Sequence, residues 1–228
     1  MRKPRKLPFE DLAPYSIDLP SASPRRPRLV DANGEPITPT RIDWPTLYGN
    51  ANPVEIEVGF GKGMFLVNAG VAQPGTNFFG IEIVRKYQLY AATRVALRQL
   101  PNVKTSCADA KRVLGDLVVP GSVAAVHVYF PDPWWKSRHK KRLLFTPDFA
   151  ASVWQVLAPD GFLHFVSDVE DYFAMVTGIL TAMPGFQAVA APDATDPQHD
   201  MDYLTNFERK FRKEGRPIYR SKYRKVRG

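Results

Sequence analysis

The chain has 228 residues, of which 44% are hydrophobic and 24% charged, so it is long and apolar enough for one α/β domain with a sizeable core. The formal net charge of +8 favours a polyanionic partner, with nucleic acid as the first candidate. One cysteine, Cys107, excludes an intrachain disulfide and is typical of a reducing compartment. The apolar runs are far shorter than the roughly 20 residues of a membrane span, and the basic N-terminus lacks the apolar stretch of a signal peptide. We therefore expect a cytoplasmic protein that does not enter a membrane.

Residues 1–50 differ in composition from the rest of the chain, because prolines recur throughout them and Lys and Arg cluster at residues 2–6 and 25–28. Proline at this density disrupts regular structure. We therefore expect a partly flexible basic N-terminal arm over residues 1–50, with a turn at Asn33-Gly34, followed by one domain over residues 51–228. The arm is either a tail without a role or an electrostatic arm for nucleic acid, and the sequence leaves both open.

From residue 53 onward, short apolar runs alternate with helix-like stretches. The strands are predicted at residues 54–58, 77–83, 103–108, 123–130, 162–167, 186–190 and 218–226. The helices are predicted at residues 64–71, 85–99, 110–117, 148–157 and 170–183. This alternation predicts an α/β fold with a mostly parallel central sheet and helices on both faces. In such sheets, ligands bind beyond the carboxyl ends of the strands.

Three glycines, Gly59, Gly61 and Gly63, follow the first of these strands and lead directly into a helix. A strand, a glycine turn and a helix in this order turn backbone N–H groups toward a ligand. The G-x-G-x-G spacing does not match the dinucleotide fingerprint, and the nearby carboxylate of Glu57 would repel a pyrophosphate. Both features disfavour an NAD-dependent oxidoreductase and favour a nucleoside cofactor with an ammonium or sulfonium charge. An ordinary tight turn is the alternative.

Acidic residues also stand at the ends of the later predicted strands. Glu82 lies near the end of the second strand, and Asp109, Asp132 and Asp168 come after the next three. Glu82 is placed to accept hydrogen bonds from ribose hydroxyls, and Asp109 could bond an exocyclic amino group. Asp109 and Asp168 fit helix caps equally well. Because unpaired like charges at one sheet edge repel each other, a cationic ligand would stabilise the whole set.

The segment PDPWWKSRHKKR, from Pro131 to Arg142, is the most distinctive in the chain. Prolines on both sides of Asp132 restrict its backbone, so its carboxylate is expected to be held rigidly at the strand end. The two tryptophans offer faces on which a base could stack. The five cations that follow suit phosphate contacts, although a basic cluster can also be plain solvated surface.

Basic residues are also concentrated at the C-terminus. Thr205 and Glu208 form a T-x-x-E capping box at the start of a predicted helix, and Gly215 suits the position after its end. A capped helix and a last strand explain these residues, but not the ten Lys and Arg among the last twenty residues. The four histidines show no metal-ligand spacing and no nucleophile motif is present, so neither a metal nor covalent catalysis is expected.

In chain order, the segments EVGFGKG, GIEI, CADA, YFPDPWWKSRHKKR, FVSD and TNFERKF resemble the bacterial tRNA (guanine-N7-)-methyltransferases. The resemblance extends from about residue 50 to the C-terminus, and the PDPW-K-x-RH-x-KR block is its most specific part. Val58 and Trp135 depart from the family pattern. The resemblance implies a Rossmann-like class I methyltransferase fold and S-adenosylmethionine as cofactor. It also implies methyl transfer to guanine N7 in the variable loop of tRNA, which forms 7-methylguanosine.

Carried over by position, the resemblance assigns a role to each motif. The implied cofactor-binding residues are Glu57, Gly59, Gly61, Gly63, Glu82, Asp109 and Asp132, the last of which is also the implied catalytic residue. The implied substrate-binding residues are Lys136, Asp168, Thr205, Asn206, Phe207 and Glu208. The implied RNA-contacting residues are Arg138, His139, Lys140, Lys141, Arg142 and Leu143. The expected partner is tRNA, with no metal and no membrane, and the protein is expected to be a monomer or a homodimer.

Two other functions fit part of the sequence. A methyltransferase of the same fold could act on a small molecule, but such an enzyme has little reason to carry the basic PDPW block. A non-catalytic RNA-binding module on a degenerate cofactor fold would be expected to have lost some of the glycines or strand-end acids, and all of them are present.

Overall fold

The computed structural model describes residues 7–24, 30–34, 37–133, 143–191 and 205–226. The chain divides into two compact units, Met1–Val119 and Pro120–Gly228. Each unit combines strands of a β-sheet with the helices that cover them.

The described part of the first unit contains strands β1 (Ser16–Ile17), β2 (Val54–Val58), β3 (Asn77–Glu82) and β4 (Val103–Cys107). Their spatial order is β1-β4-β3-β2, and the pairs are parallel. The helices are α1 (Phe9–Leu12), α2 (Trp44–Tyr48), α3 (Met64–Ala72), α4 (Arg85–Ala96) and α5 (Ala110–Arg112), and a wider helical turn spans Val113–Leu117. Every residue of β3 is buried, as expected for a parallel strand with both faces covered.

Close packing between α3 and the sheet depends on a glycine in β3. A Cβ added at Gly80 would lie 2.4 Å from Leu66 Cδ1 and 2.6 Å from Phe60 Cδ1. Leu66 is fully buried and Phe60 is 5% exposed, and both belong to one apolar cluster with Phe78 and Val103. This cluster fixes the start of α3, and hence the glycine turn before it, against the sheet.

The described parts of residues 1–50 carry short elements of regular structure. Strand β1 pairs with β4, and Lys104 Nζ donates to the Pro14 carbonyl at 2.7 Å. The turn predicted at Asn33-Gly34 is confirmed, because the Gly34 N–H donates to the Asp31 carbonyl at 3.1 Å. The domain boundary at residue 50 and the flexibility of the arm stay predictions.

The described part of the second unit contains strands β5 (Val123–Tyr129), β6 (Leu157–Ser167), β7 (Phe186–Val189) and β8 (Tyr219–Lys225). Their spatial order is β5-β6-β8-β7, with β5 and β6 parallel and β8 antiparallel to both of its neighbours. The helices are α6 (Pro147–Val156), α7 (Glu170–Thr181) and α8 (Asn206–Lys213). In the core of this unit, Phe145 packs edge to face against Phe149 and against Phe165, with centroid separations of 5.3 Å.

Two predicted elements differ from the structure in an informative way. The helix predicted at residues 110–117 is α-helical only over Ala110–Arg112 and then widens, within a segment that contains the poor helix former Gly115. Strand β6 begins at residue 157 rather than 162, with a register shift against β5. Asp160 lies at this irregularity and has a φ of +61°. The sequence Asp160-Gly161 is typical of a turn, so it does not indicate a strand.

Candidate active site

The glycine turn between β2 and α3 uses its glycines for two different purposes. Gly59, Gly61 and Gly63 all have positive φ, at +75°, +54° and +66°. A Cβ at Gly63 would lie 2.6 Å from Ala91 Cβ, so packing between α3 and α4 requires this glycine. A Cβ at Gly59 or Gly61 would meet no described atom of the protein within 4 Å. These two glycines therefore leave open space beside the turn, where a ligand can approach the backbone.

Glu82, at the end of β3, holds this turn in place. Its Oε2 accepts from the Gly61 N–H and its Oε1 accepts from the Val84 N–H, both at 2.9 Å. The residue is only 6% exposed. The Glu82 carboxylate thus connects the glycine turn to the residues that follow β3.

Glu57, near the end of β2, is a buried carboxylate with an unused oxygen. The residue is 2% exposed, and its Oε2 has no hydrogen-bond partner in the described ranges. Burial raises the pKa of Glu57 well above its usual value, and repulsion by Glu82 raises this pKa further, while a backbone hydrogen bond from Leu66 lowers it. An unsatisfied buried carboxylate is costly, so a cationic group placed beside it would stabilise the site.

Asp109, after β4, is the N-cap of α5, so the helix-cap interpretation of this residue is correct. Its side chain accepts from the Lys111 N–H at 2.9 Å, and its own N–H donates to the Ala22 carbonyl at 2.8 Å. In the sheet, Cys107 pairs with Glu82, so Asp109 follows the strand next to the one that carries Glu82. Its predicted contact with the cofactor stays a prediction.

Sequence reasoning missed an exposed apolar group directly after Glu82. Ile83 is 58% exposed, Val84 is 42% and Tyr87 is 40%. Ile83 and Val84 lie between β3 and α4, and Tyr87 lies in the first turn of α4, so the three side chains offer an exposed apolar surface beside Glu82. The signal in the sequence was the run Ile83-Val84, which continues the apolar pattern past the end of the strand.

In the second unit, an unusual backbone conformation leads into Asp132. Phe130 is buried, has a φ of +51°, and donates its N–H to the Val166 carbonyl at 2.8 Å. This conformation is rare for a residue with a large side chain, and it turns the chain at the end of β5. Asp132 is exposed, and its charge contributes, after burial, to raising the pKa of Tyr172 to about 12.

Asp168, at the end of β6, does not cap α7. The N-cap is Val169, whose N–H donates to Ser167 Oγ at 3.1 Å. Asp168 instead forms an ion pair with Arg216, in which Arg216 Nη2 donates to Asp168 Oδ2. The helix-cap alternative for Asp168 is therefore wrong, and Arg216 is a residue that sequence reasoning missed.

Next to this ion pair lies an aromatic cluster formed by Phe130, Phe207 and Phe211. Phe207 and Phe211 are stacked with centroids 5.9 Å apart, and Phe130 lies 5.5 Å from Phe211. The Arg216 guanidinium lies over Phe211, 4.1 Å from the ring centroid. Phe207 is 50% exposed, so the cluster presents one aromatic side chain to solvent. Asn206, between Thr205 and Phe207, is half-buried.

The capping box at the start of α8 is confirmed in its first half, because Thr205 Oγ1 accepts from the Glu208 N–H at 3.0 Å. The Glu208 carboxylate is 4% exposed and pairs with Arg220 at 2.5 Å and Arg212 at 3.8 Å. The structure thus gives Glu208 a role in joining α8 to β8. The substrate contact implied for Thr205–Glu208 stays a prediction.

Internal contacts also account for many of the C-terminal cations. Arg224 bonds Gln187 Oε1 at 2.7 Å, Lys225 donates to the Leu157 carbonyl at 2.6 Å, and Lys222 lies 3.9 Å from the Phe162 ring centroid. A large part of the basic C-terminus therefore holds β8 in the sheet, which the composition alone did not reveal.

Several predicted residues lie outside the described residues. These are Lys136, Arg138, His139, Lys140, Lys141, Arg142, both tryptophans of the PDPWW segment, and His199. Leu143, the last of the implied RNA-contacting residues, is half-buried. In the ranges that are described, no group of three or more His, Cys, Asp or Glu side chains could hold a metal, and no helix is long and apolar enough to cross a bilayer.

Comparison with solved structures identifies the fold class of the chain. The 16S rRNA methyltransferase KamB matches with a TM-score of 0.60 and 15% identity over 90% of this chain and 98% of that one. A mutant 16S rRNA (adenine(1408)-N(1))-methyltransferase from Catenulisporales acidiphilia, with cosubstrate SAM, matches with a TM-score of 0.55 and 15% identity over 82% and 92% of the two chains. The fold is that of a Rossmann-like class I methyltransferase.

Sequence comparison narrows the class to a family. The model of a family described as "Putative methyltransferase" matches residues 51–221. The tRNA (guanine-N(7)-)-methyltransferase of Rhodopirellula baltica is 42% identical over 82% of this chain and 71% of its own length. The protein of the same name from Geobacter metallireducens is 35% identical over 82% of this chain and 89% of its own. The chain belongs to the tRNA (guanine-N(7)-)-methyltransferase family.

Proposed function

We propose that this chain transfers a methyl group from S-adenosylmethionine to N7 of a guanine in the variable loop of tRNA, forming 7-methylguanosine. The observation that carries the proposal is its family membership, since the curated relatives that it matches over most of their length bear the name of this activity. Glu57, Gly61 and Glu82 would supply a site of matching chemistry. A methyltransferase with a small-molecule substrate is disfavoured by the same relatives.

The residues around the glycine turn fit S-adenosylmethionine, which supplies a methyl group on a cationic sulfur when bound. The unpartnered Oε2 of Glu57 would attract its positively charged end. Glu82, which bonds the Gly61 and Val84 N–H groups, would also accept hydrogen bonds from the ribose hydroxyls. Exposed Ile83 offers apolar surface to the adenine ring, and Asp109 an acceptor for its amino group.

The chemistry of the acceptor explains why no strong base is needed. Guanine N7 has a lone pair and no proton, so the new N–C bond forms as the C–S bond breaks, without a proton transfer. Rate enhancement then depends on aligning the lone pair with the methyl group and the sulfur. Positive charge develops on the guanine ring during this step, and nearby carboxylates stabilise it.

Asp132 and Asp168 are the carboxylates of the second unit to which we assign this role. Each would accept a hydrogen bond from the guanine N1–H or amino group, which orients the base and stabilises its developing charge. Exposed Phe207 would provide a stacking surface for the base once it has left the tRNA stack, a step that costs a few kcal/mol. Binding of tRNA phosphates by the basic residues 136–142 would offset that cost.

Methyl transfer from labelled S-adenosylmethionine to tRNA that lacks modifications tests the proposal, with the product nucleosides separated after digestion. The expected result is label in 7-methylguanosine, strongly reduced in Asp132→Ala protein that still binds the cofactor. Label in another nucleoside would contradict the substrate assignment. Transfer to small molecules but not to tRNA would favour the alternative function.

A further inference from the structure

We propose that Arg216 is a positioning residue that holds Asp168 in the orientation that reads the target guanine. This inference rests on the proposed function, in which Asp168 accepts a hydrogen bond from that base. Arg216 Nη2 donates to Asp168 Oδ2, although 48 residues separate the two in the chain. The neighbouring turn does not restrain the carboxylate, because Ser167 and not Asp168 bonds the Val169 N–H at the start of α7. Within the described residues, the orientation of Asp168 therefore depends on Arg216.

Arg216 is itself held rigidly. Gly215, with a φ of +65°, ends α8 in the left-handed conformation, and the Arg216 N–H then donates to the Phe211 carbonyl at 2.9 Å. Pro217 follows directly and restricts the backbone on the other side. The guanidinium lies 4.1 Å from the Phe211 ring centroid, so both ends of the side chain are fixed.

The pairing leaves half of the Asp168 carboxylate available. Oδ2 accepts from Arg216, whereas Oδ1 accepts no hydrogen bond from the part of the chain that the structure describes. The Asp168 side chain is 12% exposed, so it is shielded from bulk water without being sealed from a ligand. The carboxylate is thus fixed through one oxygen while the other can accept a hydrogen bond. This arrangement suits a single directional bond to the edge of a base.

Charge gives Arg216 a second task. A carboxylate that faces a polyanionic substrate would repel its phosphates, and the adjacent guanidinium neutralises this charge. The Arg216 side chain is 40% exposed and reaches the carboxylate from the aromatic cluster that also displays Phe207. Arginine suits this position better than lysine, because a planar guanidinium stacks on an aromatic ring and donates at the same time.

The test measures recognition of the base and not activity alone. Labelled methyl transfer is followed with tRNA assembled to carry guanosine, inosine or 2-aminopurine at the target position. Inosine lacks the amino group, so a carboxylate that bonds this group discriminates against inosine tRNA. 2-Aminopurine lacks the N1–H, so a carboxylate that bonds N1–H discriminates against 2-aminopurine tRNA. Loss of such a charged hydrogen bond is expected to lower kcat/KM by about tenfold or more.

In the Arg216→Ala variant, discrimination against the analogue that lacks the group bonded by Asp168 is expected to fall to about twofold, with kcat lowered on guanosine tRNA and the Kd for S-adenosylmethionine unchanged. Arg216→Lys should fall between this variant and the wild type. Arg224→Ala is the matched control, because Arg224 is equally exposed, at 41%, and lies 3.9 Å from exposed Asp160. It should keep the wild-type discrimination. Thermal melts of all the variants test whether unfolding accounts for any loss of discrimination.

The Asp168→Asn variant distinguishes an error in the role of Arg216 from an error in the proposed function. Discrimination lost in Asp168→Asn but retained in Arg216→Ala would overturn the role of Arg216 and leave the proposed function intact. Full discrimination against both analogues in Asp168→Asn would show that Asp168 does not bond the base, and the inference would fall with that assignment. No methylation of guanosine tRNA by the wild type would reject the proposed function itself.

Discussion

Glu82 Oε2 accepts a hydrogen bond from the Gly61 N–H at 2.9 Å, so the acid that ends β3 holds the glycine turn that follows β2. The same carboxylate bonds the Val84 N–H through Oε1. One side chain thus fixes the turn and bonds the backbone just after its own strand. The geometry of the turn and the proposed contact of Glu82 with the cofactor are therefore coupled.

This coupling predicts that Glu82→Gln lowers both stability and cofactor affinity. The amide keeps one acceptor oxygen but replaces the other with a donor, which cannot bond a backbone N–H. We expect the free energy of unfolding to fall by about 1–2 kcal/mol and the Kd for S-adenosylmethionine to rise by about tenfold or more. Urea unfolding and calorimetric titration measure the two effects. A variant that loses affinity at full stability would show that Glu82 does not hold the turn.

Glu57→Gln is expected to raise the stability of the cofactor-free protein while it lowers the affinity for the cofactor. Removing a buried, like-charged carboxylate should stabilise the cofactor-free protein by about 1 kcal/mol at neutral pH, because the folded pKa of Glu57 is raised. The sign follows from linkage, since a raised carboxyl pKa means that wild-type stability decreases as pH rises above about 4.5. S-adenosylmethionine binding should weaken. A destabilised Glu57→Gln protein would contradict this account.

Because the pKa of Glu57 is raised in the cofactor-free protein, cofactor binding should also release a proton, since a cation beside Glu57 favours its ionised form. Titration calorimetry in two buffers with different ionisation enthalpies measures this release. Glu57→Gln is the control and should show no release. Equal proton release by both proteins would assign the effect to another group.

The glycines of the turn are expected to respond differently to alanine. Gly63→Ala places a Cβ 2.6 Å from Ala91 Cβ and should destabilise the fold by about 2 kcal/mol or more. Gly61→Ala meets no described atom of the protein and should cost about 1 kcal/mol, through its positive φ alone. Its main effect should be on the Kd for the cofactor. Thermal melts with and without S-adenosylmethionine separate the two cases, and equal destabilisation would contradict the prediction.

Acid should destabilise the protein in part through His164. Burial lowers the pKa of His164 to about 3, with further contributions from stacked His127 on β5 and from Lys222 on β8. The unfolded side chain binds a proton below about pH 6.5, so stability is full above that pH and falls as pH decreases toward 3. The slope from this group is at most about 1.4 kcal/mol per pH unit. His164→Phe should flatten the dependence in urea unfolding between pH 7 and 5, and an unchanged slope would exclude His164 as a source.

Local pattern predicted most of the elements and the glycine turn at the candidate site. The alternation of apolar strands with helices and the glycines after residue 58 are signals within short windows, and strand β2 was predicted with its observed bounds. The bulged start of β6 was missed, because the dipeptide Asp160-Gly161 is typical of a turn and not of a strand.

Contacts between distant segments could not be predicted in this way. No local pattern pairs Asp168 with Arg216 or Glu208 with Arg220, since such partners are set by how strands and helices pack. Composition indicated nucleic-acid contacts for the C-terminal cations, yet Arg220, Arg224 and Lys225 form internal bonds. A count of charges cannot separate these two uses.

The most direct test of the account locates the methyl group in the RNA. Unmodified tRNA is incubated with the protein and S-adenosylmethionine, reduced with borohydride and treated with aniline, which cleaves the chain at 7-methylguanosine. We expect a single cleavage in the variable loop that depends on the protein and on the cofactor. Intact tRNA that nevertheless contains a new methyl group, or cleavage outside the variable loop, would contradict it.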